Sequence, residues 1–308
     1  MRTKQLIVLI AWLVSGVSAF AFKGKPQNYL STPNSVINVG GVKYAYRILG
    51  KQSAYPLVLL QHFRGSMDNW DPALIDALAA QRTVLVFDNK GVGLSEGEVP
   101  DSFETMGDDA ANFITALGYK KVDVLGFSVG GAVAQTLALR HPQLVHKLIL
   151  AGTAPKGAES INHRDPKIIA MVSNATSEDE VFLATFYAPT PFSQQAGKAS
   201  LARRAARSTV LDKAVGGQAL QAQTKARLAW GTPADSSFTY LQKITQPVLV
   251  ANGSDDIMMF TSNSYTLYTH MPDAKLILYP NSAHGFLFQY PIQFAKDAGG
   301  FLDNLQIN

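Results

Sequence analysis

An α/β architecture, a mostly parallel eight-stranded sheet with helices on both faces, is predicted by three features of the 308-residue sequence. Short apolar runs bounded by turn residues recur along the chain, helical patterns separate them, and one run leads directly into a Gly-x-Ser-x-Gly turn that opens a helix. Runs this short and this rich in Val, Ile and Leu read as strands buried on both faces. Their alternation with helical segments implies parallel strands joined by crossover helices.

In chain order, Val36 to Val39 and Val42 to Ile48, joined by Gly40-Gly41, are expected as an antiparallel pair. Buried strands follow at Pro56 to Gln61, Thr83 to Phe87, Val122 to Leu125, Leu148 to Ala151, Val248 to Ala251 and Leu276 to Tyr279. Helices are expected over Asp71 to Ala80, Phe103 to Leu117 with Asp101-Ser102 as cap candidates, Gly130 to Arg140, and Pro291 to Leu305.

Residues 156–240 break this rhythm. They lean helical and contain Phe182, Phe186, Tyr187, Phe192 and Trp230, and an insertion of that length between two strands is expected to form a helical lid. The expected organisation is thus residues 1–21 as a signal peptide, a core built from 22–155 and 241–308, and the lid at 156–240. Arg203, Arg204 and Arg207 in the insertion either bind an anionic substrate or form a solvated helix face, the commoner fate of such a cluster.

The N-terminal segment reads as an address. Arg2 and Lys4 precede an apolar run from Leu6 to Val14, followed by the small-residue sites Val17-Ser18-Ala19 and Ala19-Phe20-Ala21. That order matches a cleaved secretory signal, and the run is well short of the roughly 20 residues needed to span a bilayer. The mature protein is therefore expected to be exported, periplasmic or extracellular, without stable membrane insertion. A formal net charge of +4 leaves no electrostatic footprint for nucleic acid. With no cysteine, disulfides, thiolate metal sites and a cysteine nucleophile are excluded. No loop has calcium-ligand spacing and no glycine run has dinucleotide or P-loop spacing, so neither metal nor cofactor is expected.

The chemistry is expected at strand ends. Gly126-Phe127-Ser128-Val129-Gly130 follows the strand ending at Leu125 and opens the next helix, the setting of a nucleophile elbow. Outside such a setting the same pattern is a plain turn with a helix cap. A hydroxyl needs a base held by a carboxylate before it becomes a nucleophile. Of the six histidines, His284 lies in the loop just after the last strand. His141 ends a helix, His146 precedes a strand, and His163 and His270 lie in polar surroundings without a motif. Asp255 and Asp256 follow the strand Val248 to Ala251, so the order Ser, Asp, His results, with one of the two carboxylates able to face His284.

These residues resemble the α/β-hydrolase superfamily, in its branch of small serine esterases, lactonases, cofactor-free haloperoxidases and perhydrolases, and prolyl aminopeptidase-like enzymes. Besides the elbow, the run Asp88 to Ser95 resembles the family's D-x-R-G-x-G-x-S turn, and Leu139-Arg140-His141-Pro142 its helix end. The likeness runs from about Val36 to Leu305 and is weakest in the insertion. It implies the α/β-hydrolase fold, a triad of Ser128, Asp256 and His284 with Asp255 as runner-up, and an oxyanion hole from the Phe63 and Val129 N–H groups. Gln61-His62-Phe63-Arg64-Gly65 stands where the family has H-G-F-P-G, so His62 is a departure that crowds the site or packs under the loop. His62, Phe127, Phe186 and Phe286 are the candidates for lining the substrate pocket.

The implied function is hydrolysis of an ester-type bond in a small, largely apolar molecule through an acyl-enzyme. Peroxide chemistry at the same triad and a non-catalytic binding protein are the alternatives. Serine at the elbow argues against the haloalkane dehalogenases and most epoxide hydrolases of this fold, which place Asp there.

Overall fold

The computed structural model describes residues 28–158, 161–163, 165–208, 210–233, 235 and 237–303. The expected signal segment 1–21 lies outside them. Strands β1 (Ser35–Val39), β2 (Val42–Gly50), β3 (Leu57–Leu60), β4 (Thr83–Phe87), β5 (Val122–Phe127), β6 (Val145–Ala151), β7 (Val248–Gly253) and β8 (Ala274–Tyr279) form one eight-stranded sheet in the order β1-β2-β4-β3-β5-β6-β7-β8. β1 and β2 are antiparallel, as is β2 against β4, and every later pair is parallel. Gly40 and Gly41 take φ of 59° and 89°, the left-handed conformation a two-residue hairpin of matching twist requires.

Helices α1 (Pro72–Ala79), α2 (Phe103–Ala116) and α3 (Val129–Arg140) lie between the early strands. Each start has a local cause. Asp71 caps α1 by accepting from the Ala73 N–H at 2.9 Å with Pro72 at the first position, and Ser102 caps α2 by accepting from Thr105 at 3.2 Å. Asp101 instead pairs with Lys225. Between β6 and β7 the described residues form the α-helices α4 (Pro166–Asn174), α5 (Glu178–Phe186), α6 (Pro191–Ala205) and α7 (Gly217–Trp230) and a 3-10 helix at Thr239–Lys243, as the helical leaning of the insertion predicts. α8 (Thr261–His270) lies between β7 and β8, and α9 (Phe286–Gln289) and α10 (Pro291–Asp303) follow β8.

Two differences from the sequence reading stand out. β6 begins at Val145, so His146 lies inside a strand rather than before it, hydrogen-bonded to Asp123 at 2.8 Å and stacked on Tyr55. α8, with sequence Thr-Ser-Asn-Ser-Tyr-Thr-Leu-Tyr-Thr-His, was hidden by its β-branched and aromatic residues. Its first turn is fixed from outside, by the Thr261 hydroxyl donating to the Gly253 carbonyl at 2.7 Å.

The sheet separates two apolar layers. On one face Val58, Leu60, Val124 and Leu148 pack under α2 and α3; on the other, Leu57, Leu59, Leu125 and Ile149 pack under α1 and α10. Successive strand residues point to opposite faces, which is why these lists interleave. Among the described residues no helix is long and apolar enough to cross a membrane. No group of three or more His, Asp or Glu side chains among them is placed to hold a metal ion.

Candidate active site

The carboxyl ends of β5, β7 and β8 bring three side chains to one edge of the sheet. β5 delivers Ser128, whose φ of 56° and ψ of −120° fall in a strained region that a non-glycine residue holds only when its surroundings enforce it. Those surroundings are tight. A Cβ on Gly126 would sit 2.4 Å from the Gly130 carbonyl oxygen, and one on Gly130 would sit 2.1 Å from that of Leu60. The turn is pinned by the Ser128 N–H donating to the Ala151 carbonyl and by Gly131 donating to that of Ser128, both at 2.9 Å.

β7 ends at Gly253, and a Cβ there would lie 2.3 Å from the carbonyl oxygens of Ser282 and Ala283. This absence of a side chain lets the loops after β7 and β8 meet. The Asp255 N–H donates to the Ser282 carbonyl at 2.9 Å. Asp256 then points inward. Its Oδ1 accepts from the Met258 and Met259 N–H groups at 2.8 and 2.9 Å, and its Oδ2 lies 2.8 Å from His284 Nδ1. Both residues are buried. Asp255 is exposed, and its carboxylate accepts from the Ser254 hydroxyl instead. The two neighbours thus divide as adjacent side chains in a turn must.

The imidazole of His284 packs on the Phe127 ring at 5.0 Å and the Phe186 ring at 5.3 Å. Gly152, at φ 51°, leaves room for it, since a Cβ there would be 3.2 Å from Nδ1. With Nδ1 held by Asp256, Nε2 is the nitrogen left to exchange a proton. His141 is bonded to Asp108, His146 to Asp123 and His270 to the Thr266 carbonyl, so these three serve local structure.

The loop after β3 carries Phe63. Gln61 bends it by accepting from the His62 N–H at 2.8 Å while donating to the Ser66 carbonyl at 3.0 Å. The Arg64 N–H donates to Gln223 of α7 at 2.7 Å, and Gly65 donates to the His62 carbonyl. Among the described residues neither the Phe63 nor the Val129 N–H has a protein acceptor. Val129 is the first residue of α3, where such donors and the helix dipole favour an anion.

Beside Ser128 lies a cleft lined by Phe103, Ala132, Ile161, Trp230, Met259 and Arg227, with about 10 Å³ of free volume, room for one water. Arg227 donates to the Ile161 carbonyl. None of the four side chains the sequence offered for the pocket lines this cleft. Phe127 faces the opposite layer, fully buried against Phe288 at 5.4 Å and Trp70 at 6.3 Å, where it supports His284. Phe286 starts α9 and is equally buried, against Tyr279 and Phe294. Phe186 and His62 stand by His284. Trp230 and Phe103 were not among the pocket candidates, because their closeness to Ser128 depends on how α2 and α7 pack. Gln223 had no signal in the sequence at all.

The Asp88 to Ser95 turn is structural. Asp88 is fully buried and accepts from the Met67 and Leu94 N–H groups at 2.7 and 2.9 Å, with Gly93 at φ 56° leaving it space. Burial pushes its carboxyl up to about 8, with Asp212 nearby adding to the rise.

Residues 55–291 match the family model of the alpha/beta hydrolase fold. The chain belongs to this family and is a hydrolase of the α/β-hydrolase fold. Among solved structures it is similar to an alpha/beta hydrolase fold protein from Chitinophaga pinensis, at 42% identity and a TM-score of 0.85, over 91% of this chain and all of that one. Among curated proteins it is 30% identical to a poly(3-hydroxyalkanoate) depolymerase of Ectopseudomonas oleovorans over 228 residues, 74% of this chain and 77% of that protein. A protein of Pantoea ananatis named as a carbamate hydrolase, RutD, is 36% identical over 109 residues, which span 34% of this chain and only 39% of that protein.

Proposed function

We propose that the chain is an exported serine hydrolase that cleaves an ester-type bond in a small, largely apolar molecule. The observation that carries this reading is the buried Asp256–His284 pair, 2.8 Å apart, set against the strained elbow of Ser128. His284 Nε2 takes the Ser128 proton while Asp256 holds the ring and stabilises the imidazolium. Ser128 Oγ attacks the carbonyl carbon, and the Phe63 and Val129 N–H groups receive the charge that develops on the carbonyl oxygen. The imidazolium returns its proton to the leaving oxygen as the bond to it breaks. Water attacks the acyl-enzyme through the same base, and Ser128 regains its proton. The apolar cleft beside Ser128 favours a short, uncharged acyl group. Export rests on the order of charge, apolar run and small residues before Phe22.

Labelling with a fluorophosphonate, read by intact mass and peptide mapping, tests the mechanism. A single adduct on Ser128, absent in Ser128→Ala and reduced at least a hundredfold in rate in His284→Ala, is expected. A folded protein that takes no adduct from a phosphonate small enough for the cleft overturns it.

A further inference from the structure

The three arginines of α6 and its C-terminal edge have different fates. Arg203 binds Asp71 with two hydrogen bonds, at 2.8 and 2.5 Å. Arg207 donates to the carbonyls of Tyr29, Leu30 and Thr32. These two are structural, and the expected solvated face does not form. Arg204 makes no ion pair among the described residues; its guanidinium lies over the Phe182 ring at 4.2 Å. The carboxylates that act on it from a distance are Asp71, already taken by Arg203, and Asp179.

Burial takes the His62 imidazole down to about 3, and the Arg204 charge adds to that fall from a distance. His62 is therefore neutral. Its Nδ1 lies 2.9 Å from the Phe63 carbonyl, which assigns the proton to Nδ1 and leaves Nε2 as an acceptor. Nε2 is buried and has no hydrogen-bond partner. A buried acceptor without a donor is costly and is retained where something supplies the donor. Phe186 contacts both rings, 5.1 Å from His62 and 5.3 Å from His284. An acceptor and a cation are thus joined to His284 through the rings of Phe182 and Phe186, which lie 4.5 Å apart.

We propose that Arg204 and His62 form a subsite for the leaving group of the substrate, taking an alcohol portion that bears a carboxylate and a hydrogen-bond donor. The carboxylate pairs with Arg204, the donor serves His62 Nε2, and the body of the group lies against Phe182 and Phe186. The proposal rests on Ser128 and His284 being the reacting groups, and it specifies the side of the ester that departs from His284.

Three acetyl esters with one acyl group test it: phenyl acetate, 3-acetoxybenzoate and 3-acetoxy-5-hydroxybenzoate, with 3-acetoxybenzamide as the uncharged control. At least tenfold higher kcat/KM for 3-acetoxybenzoate than for phenyl acetate or the benzamide is expected, carried by KM and weakened by added salt. Arg204→Met should lower kcat/KM for 3-acetoxybenzoate at least tenfold more than for phenyl acetate. His62→Phe should lower kcat/KM for 3-acetoxy-5-hydroxybenzoate more than for 3-acetoxybenzoate, beyond any loss common to all the esters. Equal turnover of charged and neutral esters, or an equal loss on all substrates in Arg204→Met, overturns the proposal. Absence of turnover and of phosphonate labelling defeats the hydrolase reading instead. The subsite is then decided by calorimetric binding of 3,5-dihydroxybenzoate to Ser128→Ala, expected at millimolar ligand and lost on adding Arg204→Met. No binding to Ser128→Ala overturns it in that case as well.

Discussion

The Gly285 N–H donates to the Phe186 carbonyl at 2.6 Å, so the loop that carries His284 is hydrogen-bonded to the last residue of α5. A Cβ on Gly285 would lie 2.9 Å from that same oxygen. Gly285→Ala must push the end of α5 away from the imidazole. A stability loss of about 1–3 kcal/mol in urea unfolding is expected, together with a lower rate of Ser128 labelling. Unchanged labelling would mean that α5 does not position His284.

Asp256→Asn keeps the shape of the buried acid and removes its charge. Because Asp256 Oδ1 still accepts two backbone N–H groups, the loop should hold while His284 loses its partner. A fall in kcat of about 10³ to 10⁴-fold is expected, by analogy with the same change in other triads. Asp255→Asn, on the exposed neighbour, should leave ester turnover within twofold.

The depressed pKa of His62 has a consequence for stability against pH. Its folded value, about 3, lies below the ordinary imidazole value of 6.5, so the unfolded chain binds one proton more between those limits. Stability from this group is complete above about pH 6.5 and is lost as pH falls, with a slope of up to about 1.4 kcal/mol per pH unit. Chemical unfolding of His62→Phe should show a slope shallower by that one proton between pH 4 and 6, against about the same stability change at pH 7 and above. Parallel curves would mean that His62 titrates normally.

Trp230 closes the cleft at Ser128 together with Phe103 and Ile161. Trp230→Leu should admit longer acyl chains, raising the kcat/KM ratio of hexanoyl over acetyl esters by about tenfold or more, since each methylene accommodated is worth about 1–3 kcal/mol. An unchanged ratio would place the acyl group elsewhere.

Much of this was legible in the sequence. All eight strands, the elbow and the position of His284 follow from apolar runs and turn residues, because those signals are local. Asp256 over Asp255 followed from family spacing, and the Asp256–His284 contact is consistent with that choice. The lining of the cleft beside Ser128 was not legible. Phe127 and Phe286 neighbour the key residues in sequence but point into the layer under α1 and α10, a matter of strand parity and of the turn into α9. The fate of each arginine on α6 was equally hidden, since Asp71 is 132 residues from Arg203 in sequence and Tyr29 is 178 from Arg207.

Arg207 reaches three carbonyls of the stretch from Tyr29 to Thr32, and the Arg47 and Asp68 side chains close the same knot at 2.6 Å. Residues 29–32 and the end of α6 are therefore clasped together. A chimera that exchanges residues 161–243 with those of a relative would strand these carbonyls unless residues 28–34 travel with the graft. Recombination between such chains should succeed only at crossovers that respect this clasp.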